Sequence, residues 1–576
     1  MKEKWLVITK SGDYRALGEK YGVSPVIARI MRNRGITDDS EARAFLNTGV
    51  EGLYDGKLFK DSEILLETLK KKIEEHKKIR VIGDYDIDGV CSTYILMNGL
   101  KIAGAEVDEK IPHRVKDGYG LNENLIHSAY ADGVDTIITC DNGIAAVNEI
   151  RLAKKLGMTV LVTDHHQVPF EETESGKREI LVDALAIVDP HRAGDDYPYK
   201  SICGAVVAWK LIVSLFELMD IPREKADKFF EVAAFATIGD VMPLSGENRI
   251  IVKNGLKRLE ETDNTGLKAL IAINELEGKT LSPYHVGFIL GPCMNAAGRL
   301  ESAEDALKLL NSSDEDTAHD FAVLLKELND TRKSLTDKAV KEALEIAATE
   351  EYLKDRVLVI VLSDCHESIA GIVAGKVREA SGKPTFILTD GVTAAGDACL
   401  KGSGRSIDEY NMFEEMSAVS ECFIKFGGHA TAAGLSLEKE RFAEFREKIN
   451  SRCTLTEDDL AIKVRIDMVL PLSYVTYELT EELKVLEPFG TANEKPLFAA
   501  KNVEILEGRV LGERRNVYKC RIKDETGTVI DGIYFGEADS FADYVNSHEK
   551  MSITFNPDIN EFRGCTTLQL VIKNYM

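Results

Sequence analysis

The sequence predicts an α/β protein: a doubly wound parallel-sheet domain, a long connecting helix, a smaller α/β domain and a β-rich C-terminal region. Three observations carry this reading. Short apolar runs alternate with helix-like segments through the first third of the chain, the pattern that builds parallel sheets. Those runs end in Asp or His, and in doubly wound sheets ligands bind beyond the carboxyl ends of the strands. After about residue 461 short alternating runs take over, as in antiparallel β-structure.

The 576 residues exceed what one core supports, so about three domains are expected. Apolar content of 44% and charged content of 29% are those of an ordinary globular protein. No apolar run reaches the roughly eighteen residues that span a bilayer, so no membrane association is expected. Met1-Lys2-Glu3-Lys4-Trp5 lacks the apolar core of a signal peptide. Ten cysteines without a CxxC pair read as reduced thiols in a cytoplasmic protein. A net charge of −24 argues against general, non-specific binding to nucleic acid, though a local basic groove is compatible with it.

Residues 1–55 read as an N-terminal arm or small helical cap, with an Arg/Gly/Asp-rich stretch (31–39) and a helix pattern at 40–46; no function is legible in them. Ile64, Leu65, Leu69 and Ile73 recur at helical spacing and lead into the apolar run 79–82. Residues 90–103 then read as a helix stopped by Gly104. Between run and helix lies Gly83-Asp84-Tyr85-Asp86-Ile87-Asp88-Gly89. Three carboxylates in one tight turn repel by several kcal/mol unless a cation neutralises them, and carboxylate oxygens suit Mg²⁺ or Mn²⁺. A solvated acidic turn is the competing reading. An EF-hand loop is excluded, because the twelfth place counted from Asp84 holds Ile95 and not Glu.

The same pattern repeats downstream. Residues 136–140 end in Asp141-Asn142-Gly143 with a helix expected over 144–156, residues 158–163 end in Asp164-His165-His166, and residues 185–188 end in Asp189-Pro190-His191. Any one of these acids could be a helix N-cap, but as a set they converge on one crevice. Helices are expected over 204–219 and 223–237. The second runs into Ile238-Gly239-Asp240-Val241-Met242-Pro243-Leu244, where an Asp among apolar residues needs a partner. A metal would supply it; a helix-end cap is the alternative.

In order and type these motifs resemble the DHH phosphoesterase superfamily and, within it, the RecJ-type single-strand-specific exonucleases. The likeness continues past them. Residues 291–300, GPCMNAAGRL, are similar to that family's GPRxNAAGRL, and 328–332, LNDTR, to its LNxxR, on a long helix expected over 314–348. His366-Glu367-Ser368-Ile369-Ala370-Gly371-Ile372-Val373-Ala374 resembles HxGVIGIVA of the DHH-associated domain. Residues 401–406 and 426–434 resemble its glycine-rich loops, which would expose N–H donors to an anion, with Arg405 and His429 adding charged ones. Residues 488–493 and the closing stretch from Arg563 to Ile572 resemble an oligonucleotide-binding (OB) barrel. There Lys501, Arg509, Arg514, Arg515, Lys519, Arg521 and Lys523 form a basic bias, and Tyr518, Tyr534 and Phe535 could stack on bases or fill the barrel.

The resemblance implies an arm (1–55), a DHH catalytic domain (56–312), a connecting helix (313–350), a DHH-associated substrate domain (351–458) and an OB-like domain (459–576). It implies 5′→3′ hydrolysis of single-stranded DNA in repair and recombination. Two divalent ions, Mn²⁺ or Mg²⁺, would be held by Asp84, Asp86, Asp88, Asp141, His165 and Asp240, with Asp141 bridging them and His166 on the scissile phosphate. Asn295, Arg299, Asn329, Arg332, His366, Ser403, Arg405 and His429 would bind substrate, and Lys519 and Arg521 nucleic acid. The implied partners are single-stranded DNA and a single-strand-binding protein or a helicase, with the chain itself a monomer. Two other readings stay open: a DHH phosphodiesterase of short oligonucleotides or cyclic dinucleotides, and a non-catalytic single-strand-binding relative. Departures from the family pattern are Cys293 in place of Arg, Ser363-Asp364-Cys365 where Trp precedes the His, and Tyr518-Lys519 in place of His-Leu-Lys.

Overall fold

The computed structural model describes residues 3–114, 116–173, 176–393, 396–562 and 564–576; Arg563 lies outside the described residues. They form two compact units, one of residues 54–240 and 255–462, the other of residues 3–53, 241–254 and 463–576. Among the described residues no helix is long and apolar enough to cross a membrane.

The first unit opens with a parallel sheet of five strands: β1 (Ile79–Ile82), β2 (Val107–Lys110), β3 (Thr136–Cys140), β4 (Thr159–Thr163) and β5 (Ala186–Val188), in the order β2-β1-β3-β4-β5. The strands are short, and β1, β3 and β5 are buried at every residue because helices cover both faces, whereas the edge strand β2, Val-Asp-Glu-Lys, is half-buried. The strand order reverses between β1 and β3, and in this topology the crevice at that reversal is where ligands sit. Asp84 follows β1 and Asp141 follows β3, so the sequence places carboxylates on either side of it.

Helix α1 (Ile87–Ile102) is apolar on nearly every side, as befits a helix packed inside the domain. It lies against α2 (Gly204–Leu218), with Gly99 facing Ile212 where a Cβ would clash, and against α3 (Phe230–Gly239). Two expected helices differ in extent. The one after β3 begins at Val147 rather than 144, because the Ile144 N–H is taken by Asp164 and Gly143 turns with φ +113°. The segment 223–237 divides into a short turn, Glu224–Asp227, and α3.

Helix α4 (Gly291–Leu300) precedes α5 (Glu315–Ala347), whose 33 residues span about 50 Å. Asp314 caps α5 by accepting from Thr317 N at 2.9 Å. Beyond it, α6 (Ala370–Ser381) packs on a sheet of β6 (Leu358–Val361), β7 (Thr385–Val392), β8 (Ala398–Arg405), β9 (Lys425–His429) and β10 (Ala432–Leu437), ordered β9-β10-β8-β7-β6. The two glycine-rich stretches expected as loops are therefore strands. Their glycines serve the sheet: a Cβ at Gly402 would meet the Ile387 carbonyl of β7, and one at Gly404 would meet Phe386 and Met412. Gly427 and Gly434 are register partners on β9 and β10, and a Cβ on either would project into open space.

In the second unit β11 (Phe498–Leu511), β12 (Val517–Lys523), β13 (Val529–Phe535), β14 (Met551–Phe562) and β15 (Cys565–Tyr575) are ordered β11-β12-β13-β15-β14, and β14 pairs back onto β11. The result is a closed five-stranded barrel of the OB type, with β13 and β15 parallel. Strand β12 alternates as a barrel wall must: Tyr518, Cys520 and Ile522 are buried, while Lys519 and Arg521 face out. Tyr518 and Tyr534 pack on Phe541 of the helix Ala538–Ser547, whereas Phe535 is 58% exposed. The N-terminal helices Pro25–Asn33 and Asp39–Leu46 place Ile27, Ile30, Met31 and Phe45 in the same core as Leu486, Phe498 and Phe555. The arm is thus part of the barrel's core.

Arg249 ties these pieces together. It is 1% exposed, lies over the Phe45 ring at 4.0 Å, and donates to the carbonyls of Phe45 (3.0 Å), Val485 (2.8 Å) and Leu486 (2.7 Å). Arg249→Met keeps the volume but strands the Phe45 and Val485 carbonyls, each costing about 1–3 kcal/mol, while the Leu486 carbonyl keeps the Asn493 amide that also donates to it at 2.8 Å. Hydrogen exchange of β11 and β14 should quicken by at least a hundredfold; unchanged protection would show that water or a neighbour replaces the guanidinium.

Candidate metal centre and phosphate cavity

The turn after β1 is held by its own carboxylates. Asp84 accepts from Gly120 N at 3.1 Å. Asp86 Oδ1 caps α1, accepting from Asp88 N (3.0 Å) and Gly89 N (3.1 Å). Asp88 reaches the start of α2, where Gly204 N and Ala205 N donate to its two oxygens at 2.6 and 2.8 Å. Glycine is required beside them: a Cβ on Gly89 would run into the Asp84 backbone, and one on Gly298 into the Tyr85 carbonyl. Asn295 of α4 completes the clamp by accepting from Ile87 N at 2.9 Å. Capping and metal binding, competing readings of such acids, coexist here.

Asp141 leaves β3 in the left-handed region, φ +59°, a conformation Asp tolerates better than most residues. Its Oδ1 lies 3.0 Å from His165 Nε2, and that nitrogen is 3.4 Å from Asp88 Oδ2 and 3.9 Å from Asp240 Oδ2. Among the described residues three groups of side chains bring ligand atoms within 4.8 Å of one another: Asp84, Asp86 and Asp141; Asp88, His165 and Asp240; Asp141, His165 and His166. Every metal-ligand residue expected from the sequence is in this cluster, and His166 joins it. Asp189 and His191 are in none of the three groups; Asp189 is fully buried with one oxygen held by His191 N.

The electrostatics favour either protonation of these acids or a bound cation. Burial and the neighbouring charge of Asp88 drive the Asp141 and Asp240 carboxyls well above the usual range, and burial beside Asp86 pushes Asp84 up to about 8. Five carboxylates and two imidazoles, oxygen-rich and free of thiolate, fit Mn²⁺ or Mg²⁺. His166 is set apart. Burial would depress its imidazolium, but the 2.8 Å hydrogen bond to Asp164 and the surrounding carboxylates outweigh this and raise it to about 9. Asp164 also accepts from the N–H groups of Ile144, His165 and His166, so it orients rather than ligates.

Three contributors escaped the sequence reading. Tyr119 donates to the Asp141 carbonyl at 2.9 Å and lies 3.3 Å from the His166 ring. Asn142 braces the strand ends through the Ile82 and Cys140 carbonyls. Arg114 lies over the Tyr85 ring at 4.7 Å. Tyr119 sits between Gly118 and Gly120, both at positive φ, so a turn was legible there but its side chain's target was not.

In the same unit a cavity of about 520 Å³ is lined by Tyr85 and Arg114 of the first domain and by Ser368, Lys401, Ser403, Lys425, Gly427 and Gly434 of the second. Its floor is bare backbone where Gly427 faces Gly434. Lys401, Ser403 and Arg405 project from one face of β8. Arg405 approaches Gly371 at the start of α6, and burial, then Arg378 and Arg114, lower its pKa. Arg299 donates to the Ser368 carbonyl at 2.8 Å, and His366 caps Ser368 N at 3.3 Å. Asn329 is buried against Cys293 and accepts from Arg332, so these two brace α4 against α5. His429 does not line the cavity; it is exposed and bonded to Thr431. On the barrel, Lys519 stands opposite Arg509, an unfavourable like-charge pair that an anion would relieve, while Arg521 stands between Glu507 and Asp531.

Asp141→Asn keeps the left-handed turn and the hydrogen bond while removing one repelling charge. In EDTA it should raise the melting temperature of this unit while weakening Mn²⁺ binding at least tenfold in calorimetric titration. Asp88→Ala should weaken Mn²⁺ binding and also lower stability by about 0.5–2 kcal/mol, because α2 loses its cap. Equal melting shifts for the two would contradict the division of labour described above.

Family models match over most of the chain: the DHH family N-terminal domain over residues 78–237, the DHHA1 domain over 354–454 and the RecJ OB domain over 466–574. The chain is 34% identical, over all 576 residues and 71% of the relative, to the single-stranded-DNA-specific exonuclease RecJ of Bacillus subtilis. It is 31% identical to the protein of that name from Escherichia coli, over 96% of this chain and 95% of the other. The crystal structure of RecJ in complex with Mn²⁺ from Thermus thermophilus aligns over 100% of this chain and 80% of that one, with TM-score 0.83 and 26% identity. A manganese-bound exonuclease RecJ aligns over 70% of this chain and 96% of that one, with TM-score 0.60 and 31% identity. The likeness extends from the metal turn through both flanking domains to the barrel, and by it the chain belongs to the RecJ family.

Proposed function

We propose that this protein is a metal-dependent exonuclease that hydrolyses single-stranded DNA from the 5′ end, in DNA repair and recombination. The observation that carries the reading is a seven-residue ligand cluster and a basic, glycine-floored cavity within one compact unit, joined by Arg299. Bound divalent ions, Mn²⁺ or Mg²⁺ and two in number, would activate water and neutralise charge on the phosphodiester. Asp84, Asp86, Asp88, Asp141, His165 and Asp240 would hold them, with Asp141 shared between two of the ligand groups.

The chain's own groups do the rest. His166, kept charged by Asp164 and steadied by Tyr119, would donate to the scissile phosphate as negative charge builds on it. A metal centre alone sees only a phosphodiester, so strand polarity needs a second anchor at a fixed distance. The cavity supplies one: Lys401, Lys425 and Arg114 face one carboxylate, Glu367, around bare backbone suited to a terminal phosphate. Arg405 and Ser403 on β8, and the amides at the start of α6, would complete that anchor. The barrel, through Lys519 and Arg509, would add a grip on the single strand. The chain would act in the cytoplasm as a monomer, alongside a single-strand-binding protein or a helicase.

Strands labelled at either end test polarity. Mononucleotides from the 5′ end should appear first, activity should vanish in EDTA and return with Mn²⁺, and duplex should resist. First release of 3′ label would refute both polarity and anchor. Arg405→Ala should shrink the preference for a 5′-phosphate over a 5′-hydroxyl by roughly ten- to hundredfold, a loss of about 1.5–3 kcal/mol.

A further inference from the structure

Helix α4 continues backwards into a π-helical segment, Val286–Leu290, and a single turn, Pro283–His285. One side of this continuous helical stretch is built against the metal turn. A Cβ on Gly287 would come against Ile238, two residues before Asp240, one on Gly291 against Ile87 and one on Gly298 against the Tyr85 carbonyl, while Asn295 accepts from the Ile87 N–H. Val286, Leu290, Cys293 and Met294 are buried. Tyr284 and Phe288, by contrast, are 61% and 69% exposed, and their rings stack on each other at 5.2 Å and 26°. The His285 ring stands edge-on to Tyr284, and Lys279 is close enough to act on its charge. A π-helical turn inside an α-helix is uncommon and is found mostly at functional sites.

We propose that Tyr284 and Phe288 form a stacking platform for unpaired bases on the 3′ side of the scissile bond. The inference rests on the exonuclease reading and deepens it. The helix gives the order along the strand: Arg299 at its far end contacts Ser368 beside the phosphate cavity, Asn295 sits at the metal turn, and Phe288 lies about 10 Å further along the axis. A 5′-phosphate in the cavity and a scissile bond at the metals direct the following nucleotides toward the aromatic pair. Exposed ring faces accept any base, which suits an enzyme without sequence preference, and a neighbouring cation suits the backbone that carries the bases. A flexible single strand presents such faces, whereas a duplex keeps its bases stacked on one another.

The test uses the full chain with Mn²⁺ and 5′-phosphorylated strands of about twenty nucleotides in which one internal base at a time is replaced by an abasic residue. Wild type should lose kcat/KM roughly five- to hundredfold at one or two adjacent positions on the 3′ side, the effect of removing one stacked base. Phe288→Ala should lower kcat/KM on the intact strand by a similar factor and flatten the abasic profile, and Phe288→Trp should restore it. Because Phe288 is mostly exposed, the alanine variant is expected to fold. A Phe288→Ala enzyme with the wild-type abasic profile overturns the platform while leaving the exonuclease reading intact. A wild-type protein that digests no single strand overturns that reading, and the platform with it.

Discussion

The first unit is organised around a repulsion. Five carboxylates approach one another at the ends of β1 and β3 and of helix α3, in a crevice where Asp84, Asp88 and Asp141 are buried and Asp86 and Asp240 partly so. Left alone they would take up protons or push apart. The fold prevents the second outcome by tying three of these acids to backbone N–H groups, Asp88 through both of its oxygens. Asp84 is tied to Gly120, Asp86 to the start of α1, and Asp88 to the start of α2. Each tie places a carboxylate at a helix N-terminus or against a loop amide, where a negative charge is favoured. The geometry is therefore set before any cation arrives, and the cation meets oxygens already aimed.

This arrangement explains why the neighbourhood is poor in side chains. Gly89, Gly204 and Gly298 stand where the turn, α2 and α4 come close, and a Cβ at any of them would strike Asp84, Asp141 or Tyr85. It also explains how the two domains of this unit are held to each other. Helix α4 fastens the catalytic turn through Asn295 and touches the second domain through Arg299, while α5 runs past both and is braced to α4 by Asn329. A shift of the cavity relative to the ligand cluster would have to move α4, and α4 cannot move without disturbing Ile87.

Much of this was legible in the residues and some was not. Apolar runs ending in Asp or His foretold the parallel sheet and its ligand crevice, because strand ends and metal ligands both leave short-range signatures. Asp189 shows the limit: the same signature put a carboxylate at a strand end that the structure buries away from the cluster, since β5 is at the sheet edge rather than at the switch point. The glycine-rich segments misled in another way. Glycine signals close approach, and in β8 and β10 the approach is between strands and toward a cavity rather than around a loop. The Tyr119 contacts, the Asn142 bond to the Ile82 carbonyl and the Arg249 clamp were invisible because these partners lie far off in sequence, and no local pattern encodes a contact made only in the folded chain.

Two of the departures from the family pattern, Cys293 and Tyr518, can now be placed by what surrounds them. Cys293 is fully buried, bonded to the Ile289 carbonyl and near Asn329, on the side of α4 turned away from the metal turn. A thiol there is an adequate filler and a weak hydrogen-bond donor, so the change alters how α4 packs on α5 and leaves the ligands untouched. Tyr518 fills the barrel against Phe541, and its ring occupies the space that Gly508 leaves open. Both substitutions therefore act on packing, and the groups left to decide substrate are those that face the crevice, the cavity and the outer wall of β12. That division follows from burial: a side chain sealed in a core can shift a helix slightly, but only one that reaches solvent can meet a strand of DNA.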